Sequence, residues 1–353
     1  MTIFSGKTVL VTGHSGFKGS WLCQWLLLLE AKVHGYSISI PTDPSLYVDL
    51  NLSSQLVSEH WGDISCLDSI QNVFKIIKPD FVFHLAAQPI VSVSYQDPVQ
   101  TFLANTLGSI NVFESLRRLD LECTVIFVTS DKCYENNEWT YGYREIDRLG
   151  GHDPYSSSKA CAEIALASLA KSYPNRSFRM ATARAGNVIG GGDWSKSRII
   201  PDCVRSWQNN KPALLRSPNS TRPWQHVLEP LNGYLCLAHL LSINSDLDSQ
   251  SFNFGPSSEN PLPVCDLVSI LGSEFLFNEI AIDNDVLFGK ECSLLRLDVS
   301  KASSLLGWNA LLTQREAVVK TANWYLRYLA GSSAVELCTS DIVSFSSRTS
   351  FHV

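Results

Sequence analysis

None of the ten cysteines stands in a Cys-x-x-Cys pair, so nothing in the sequence suggests a zinc site or a redox dithiol. In a chain of 353 residues they read as reduced, mostly buried small hydrophobes, as in a cytoplasmic protein. Met1-Thr2-Ile3-Phe4-Ser5-Gly6-Lys7 lacks the basic start and apolar run of a signal peptide. The longest apolar segment, Trp21 to Leu29, contains Gln24 and is far too short to span a bilayer. Basic charge is not in surplus either. The formal net charge of −6 argues against a general nucleic-acid binder. No internal repeat is visible. These absences leave a folded chain with no metal, membrane or nucleic-acid partner expected. Its length suffices for one large or two modest domains.

Short β-branched runs alternate with helical stretches. Thr8-Val9-Leu10-Val11-Thr12 predicts a buried strand, followed by a glycine-rich turn, a helix over Trp21–Glu30 and a second strand at Lys32–Ser37. Strands are expected again at Phe81–Ala87 and Thr124–Ser130, and helices at Val99–Leu119 and Ala160–Lys171. This alternation implies an α/β fold, a doubly wound parallel sheet with helices on both faces and right-handed crossovers. The pattern loosens after about Arg184, with loops at Gly190-Gly191-Gly192 and helices at Ile200–Gln208, Val227–Ser242 and Arg315–Leu329. The expected organisation is a Rossmann domain over residues 1–184, rejoined by a segment near 225–256, and a smaller C-terminal lobe over 185–330. The remainder, 331–353, is rich in Ser and Thr and shows no helical period. It reads as a disordered or surface tail.

Two constellations carry the chemistry. Gly13, Gly16 and Gly19, with Ser15, Phe17 and Lys18 between them, form a turn between a strand and a helix, the usual cradle for a pyrophosphate. The carboxylate that would hold an adenosine ribose some 20 residues later is absent; Tyr36-Ser37 occupies that place. No arginine is there to meet a 2′-phosphate, which favours NAD over NADP. Asp63, after a third strand, either faces the adenine or caps a helix starting near Cys66.

Tyr155 and Lys159 are the second constellation. Four residues apart on a helix, they share one face. An ammonium beside a phenol favours the phenolate, which suits Tyr155 to take the proton of a substrate hydroxyl. Ser130, Asp131 and Lys132 follow the strand at Thr124, at the carboxyl end where doubly wound sheets bind ligands. A nicotinamide-dependent enzyme is the function these residues predict.

Longer segments make the prediction specific. Thr12-Gly13-His14-Ser15-Gly16-Phe17-Lys18-Gly19, His84-Leu85-Ala86-Ala87-Gln88-Pro89, Ser130-Asp131-Lys132, Tyr155-x-x-x-Lys159, Ala185-Gly186-Asn187-Val188-Ile189-Gly190-Gly191-Gly192-Asp193-Trp194 and Arg222-Pro223-Trp224-Gln225-His226-Val227 span much of residues 7 to 310. Through them the chain resembles the extended short-chain dehydrogenase/reductases that act on nucleotide sugars, the NAD-dependent epimerases and dehydratases, and among them the CDP-glucose 4,6-dehydratase branch.

The resemblance implies oxidation of CDP-glucose at C4, loss of water across C5 and C6, and reduction at C6, with NAD regenerated in each turnover. It implies that Ile64, Leu85, Ala86 and Ala87 join the cofactor site and Gln88 the substrate site. Asp131 then protonates the departing 6-hydroxyl, and Ser130 bonds the 4-oxygen. Lys132 stands where related dehydratases have glutamate, and either takes the C5 proton or, still protonated, stabilises the enolate. Lys159 also binds the nicotinamide ribose. Arg222, Arg216 and Asn187 are the candidates for the substrate diphosphate and sugar, with Lys196 and Arg198 behind them. Trp194 and Trp224 belong to the pocket or to the core, and His84 and His226 read as structural. Relatives pair Val99–Leu119 and Tyr155–Lys171 across a dimer axis, so a homodimer is expected. Deoxysugars of surface polysaccharides (O-antigen, lipopolysaccharide) are the implied end product, and a nucleotide-sugar 4-epimerase is the alternative activity.

Overall fold

The computed structural model describes residues 3–256, 262–277, 279–282 and 294–349. The chain opens with β1 (Thr8–Thr12), α1 (Phe17–Leu28), β2 (Lys32–Ser37), β3 (Ser58–Trp61), α2 (Leu67–Ile77) and β4 (Phe81–His84). Next come α3 (Gly108–Leu119), β5 (Thr124–Val128), α4 (Pro154–Ser172) and β6 (Arg179–Ala185). After α5 (Ile199–Gln208) and α6 (Leu228–Ile243), the chain returns to the sheet as β7 (Gln250–Phe254). It then forms α7 (Val264–Phe275), α8 (Gln314–Leu329) and α9 (Ala334–Ser346).

The sheet order is β7-β6-β5-β4-β1-β2-β3, and every neighbouring pair is parallel. Its strands are short apolar runs because both faces are covered. Val9 and Val11 enter one core with α1, α6 and α8, while Leu10 between them enters the other with α2, α3 and α4. The order reverses between β1 and β4, which opens the crevice where such sheets bind ligands.

Several elements differ from expectation; the helix expected from Ala160 begins at Pro154, and the strand expected to reach Ser130 ends at Val128. Helix α1 begins at Phe17, directly out of the glycine turn. Strand β4 stops at His84. The stretch from 98 to 119 is helical but contains a π-helical turn at Leu103–Leu107. Asn105, inside that turn, is buried and must satisfy its amide. Its Nδ2 donates to the Gln88 carbonyl (3.1 Å) and to Ser158 Oγ (2.9 Å), binding the turn to α4.

The expected tail is overturned more completely. Residues 334–346 form α9, which buries Leu337, Cys338, Ile342 and Phe345. Phe345 meets Trp25 of α1 edge to face at 5.9 Å, and Lys320 of α8 pairs with Asp341 at 2.6 Å. Frequent Ser and Thr hid an apolar stripe at helical spacing. Residues 350–353 lie outside the described residues.

Beyond the main sheet, the described residues form only two- and three-residue ladders. Val188–Ile189 pairs with Gln225–His226, Thr221–Arg222 with Leu262–Pro263, and Ala213–Leu215 with Ile280–Ile282. Together with α5 they stand beyond the carboxyl end of the sheet.

Candidate active site

The glycine turn folds against the end of β4. Gly13 has φ +75°, and a Cβ on it would come within 2.8 Å of the Ala86 amide nitrogen. A side chain at Gly19 would collide with the Gly13 carbonyl. Both are glycines for packing. Gly16 differs: beyond its own turn, nothing lies within 4 Å of an added Cβ. It is also the N-cap of α1, and no side chain caps that end. An open backbone at a helix N-terminus suits a phosphate.

Cations converge on the same crevice. Lys18 falls to about 7, through burial first and then the charges of Arg198 and Lys159, with Asp131 opposing. Lys159 is lowered to about 8, again by burial, with Glu163 opposing. Arg198 pairs with Asp193 at 3.0 Å. Three basic side chains at one crevice, two of them close enough to lower the third, fit the diphosphate of a dinucleotide.

The adenosine end is less open to a simple reading. Ile64 is buried beneath Gly108, and its carbonyl accepts from Asn111. The Asp63 carboxylate accepts from Ser65 N (2.8 Å) in the turn before α2, whose N-cap is Cys66 without a side-chain bond. Asp63 therefore shapes the approach to α2 without capping it. Leu85 and Ala87 flank Ala86 at the crevice, and Phe17 faces Gly190 across it.

At the end of β5 the chain makes a tight turn, Asp131–Cys133. Ser130 Oγ accepts from Lys132 N (3.2 Å) and donates to Asp131 Oδ1 (3.1 Å). Asp131 is 2% exposed, and its Oδ2 has no partner. Burial raises its carboxyl above the usual range, against Lys132, the Ser130 bond and Arg222. Tyr155 enters from α4, whose first turn is fixed by Pro154 and by Asp153 accepting from Ser156 N (2.9 Å). Ser130, Asp131, Lys132, Tyr155 and Lys159 thus meet in one place, as expected.

Their electrostatics differ from expectation. Burial pushes the Tyr155 phenol up to about 12; the Ser130 hydrogen bond and Arg198 act the other way, and Asp131 adds to the rise. Lys159 is not among the strongest influences on it. Its amine turns to the carbonyl of Val128, at 3.3 Å. A hydrogen bond at the strand end and desolvation outweigh the helical spacing here.

Glu163 was not singled out by the sequence reading. It lies four residues after Lys159, and the Tyr155-Lys159-Glu163 spacing on one helix face was the available signal. It is fully ion-paired with Arg184 (2.8 Å) and accepts from Thr129 Oγ1 (2.5 Å) and Thr182 Oγ1 (2.9 Å). It therefore ties α4 to the end of β5 and to β6. Arg198, ranked low from sequence, acts on both Tyr155 and Lys18.

The substrate candidates separate. Arg222 is buried and close enough to Asp131 to act on its carboxyl; Gly186, next to Asn187, faces Asp131 Oδ2. Arg216 is exposed and its charge acts on Asp202. Gln88 spends its side chain inside the protein, donating to Thr101 Oγ1 (2.9 Å) and accepting from Ile90 N (2.6 Å). Lys196 is exposed. Trp194 and Trp224 are core residues. His84 sits between Thr12 and Ser109, at 2.8 and 3.2 Å, and His226 is buried beside Trp21. Burial lowers both rings to about 3, as structural histidines require.

The family model described as NAD dependent epimerase/dehydratase family matches residues 9–253. A CDP-glucose 4,6-dehydratase of Salmonella typhimurium is 39% identical over 98% of this chain and 98% of its own. Among solved structures, dTDP-glucose 4,6-dehydratase from Bacillus anthracis in complex with NAD superposes with a TM-score of 0.76 at 19% identity, covering 90% of this chain and 96% of its own. A UDP-glucose 4-epimerase from Stenotrophomonas maltophila with bound NAD gives 0.79 at 20% identity, covering 92% and 100%. The last two likenesses establish the fold. The model match and the long 39% identity establish more: this chain belongs to the NAD dependent epimerase/dehydratase family.

Proposed function

We propose that this chain is a lyase that converts CDP-D-glucose to CDP-4-dehydro-6-deoxy-D-glucose and water. The observation that carries the reading is Asp131, a carboxyl that burial raises above its usual range, with one oxygen unpartnered beside Ser130, Lys132 and Tyr155. A 4-epimerase has no use for such an acid, because it expels no hydroxyl. The long identity to the Salmonella typhimurium CDP-glucose 4,6-dehydratase supports the same choice.

The cofactor is NAD, which when bound supplies the oxidant for C4 and the reductant for C6. Gly13, Gly16 and Gly19, with Ser15, Phe17, Lys18, Ser37, Asp63, Ile64, Leu85, Ala86 and Ala87, would hold it, and Tyr155 and Lys159 would meet its nicotinamide end. Tyr155, whose phenolate is favoured by the Ser130 hydrogen bond and the Arg198 charge against burial, would take the proton of the 4-hydroxyl, and Ser130 would bond the same oxygen. Asp131 gives its proton to the 6-hydroxyl as that group leaves. Lys132 either removes the C5 proton or stabilises charge on O4. Arg222 and Asn187 hold the diphosphate and sugar, with Arg216 and Gln88 at the margin.

In this reading residues 1–184 and the returning 225–256 carry the cofactor, 185–330 mainly carry the nucleotide sugar, and α9 fills most of 331–353. We also propose a cytoplasmic homodimer that supplies deoxysugars for surface polysaccharide. No helix among the described residues is long and apolar enough to cross a membrane.

Incubation with CDP-glucose in heavy water tests the reaction. Deuterium at C5 of a 4-keto-6-deoxy product is expected; a 4-epimer free of deuterium would refute it. Turnover of CDP-, UDP-, dTDP- and GDP-glucose, compared side by side, tests the base.

A further inference from the structure

Three side chains line up beneath the glycine turn. Ser37, the last residue of β2, places Oγ 2.9 Å from Nδ1 of His14. Nε2 of the same ring lies 3.0 Å from Oε1 of Glu59 on β3. The β2–β3 register sets Gly35 opposite Glu59. A Cβ at Gly35 would strike the His14 ring at 2.5 Å, so glycine there lets the imidazole lie across the strand.

The direction of each hydrogen bond follows from the carboxylate. Burial pulls Glu59 upward, but hydrogen bonds from Tyr47 (2.7 Å), Ser53 (2.9 Å) and His14 outweigh it, and the carboxyl stays below its usual range. An ionised carboxylate only accepts, so His14 Nε2 carries a proton. Burial keeps the imidazole below its usual value, against Glu59 and the Tyr36 carbonyl, so the ring is neutral and Nδ1 accepts. The one proton of Ser37 is thereby committed to His14. Its oxygen, which already receives Ser15 N–H at 3.3 Å, can then only accept.

We propose that Ser37, its proton committed through His14 to Glu59, accepts a ribose hydroxyl from the adenosine half of the dinucleotide and disfavours a 2′-phosphate there. Dinucleotide-binding sheets usually place a carboxylate at this strand end, and its work is to accept from that ribose. A bare serine could donate or accept; the relay removes the choice. A 2′-phosphate brings acceptors and negative charge to an acceptor backed by Glu59. Ser37 is buried, with 4% of its surface exposed, so the contact is a single hydrogen bond at the edge of the crevice. This inference rests on the NAD reading above.

Calorimetric titration of the full chain with NAD and with NADP tests it. Ser37→Ala should weaken NAD about five- to tenfold, the value of one hydrogen bond. Glu59→Gln should weaken NAD and narrow its preference over NADP, yet add nothing in the Ser37→Ala background. Unchanged NAD affinity in Ser37→Ala, or losses that simply add in the double variant, would overturn the relay. Failure of the unsubstituted chain to bind NAD would refute the cofactor reading itself.

Discussion

Asp131 is where the division of labour at the site is sharpest. Its carboxyl is raised by burial while Lys132, Ser130 and Arg222 pull it down, so burial favours the acid form and its neighbours favour the carboxylate. We expect Asp131→Asn to oxidise the sugar and accumulate a 4-keto product that keeps its 6-hydroxyl. Dehydration should fall by roughly 10²–10⁴, the usual weight of a general acid. Mass spectrometry of the product settles it; full-rate loss of water would remove Asp131 from the reaction. This residue was legible in the sequence because Ser130, Asp131 and Lys132 are consecutive and end a strand. Glu59 and His14 were not legible. They stand 45 positions apart and meet Ser37 only through the register of β1, β2 and β3. Nor was the state of Tyr155, since spacing along α4 says nothing about which carbonyl Lys159 will choose.

Among elements, α6 and α8 are joined by one carboxylate. Glu229, in the first turn of α6, accepts from the backbone of Leu311 (2.9 Å) and Leu312 (2.7 Å), which lead into α8. Its other oxygen has no partner, and burial raises it from 4.5 to about 7 against those two bonds. The unfolded chain therefore loses this proton first as pH rises. The stability Glu229 contributes is complete below its unfolded value and drains away through about pH 7. The shift corresponds to about 3 kcal/mol. Glu229→Gln keeps an acceptor for the two amides and should flatten the fall in Tm between about pH 5 and about pH 8. An unaltered slope in calorimetry would assign the pH dependence elsewhere. Elements with a strong apolar period, such as β1, β2 and β5, were readable within two residues. Helix α9 was not, because its buried stripe needs Trp25 and Trp324, from distant parts of the chain, to explain it.

Among the apolar side chains that the molecule leaves exposed, two stand close together. Val99 and Ile164 are 66% and 55% exposed, on neighbouring helical segments. Their contact across a two-fold axis is the homodimer proposed above. Val99→Glu with Ile164→Glu should give monomers in light scattering while the far-ultraviolet dichroism is retained. Monomers before substitution would dispose of the proposed dimer. The alternation of strands and helices announced the doubly wound sheet. The lobe beyond it was harder to read, since ladders of two or three residues carry no period of their own.

The docking of α9 on α1 also bears on biosynthesis. The apolar back of α1 leaves the ribosome before its cover, which emerges about 300 residues later, roughly 15–60 s at ordinary elongation rates. During that interval the nascent chain shows Trp25 to its surroundings, an adhesive surface of the kind chaperones hold.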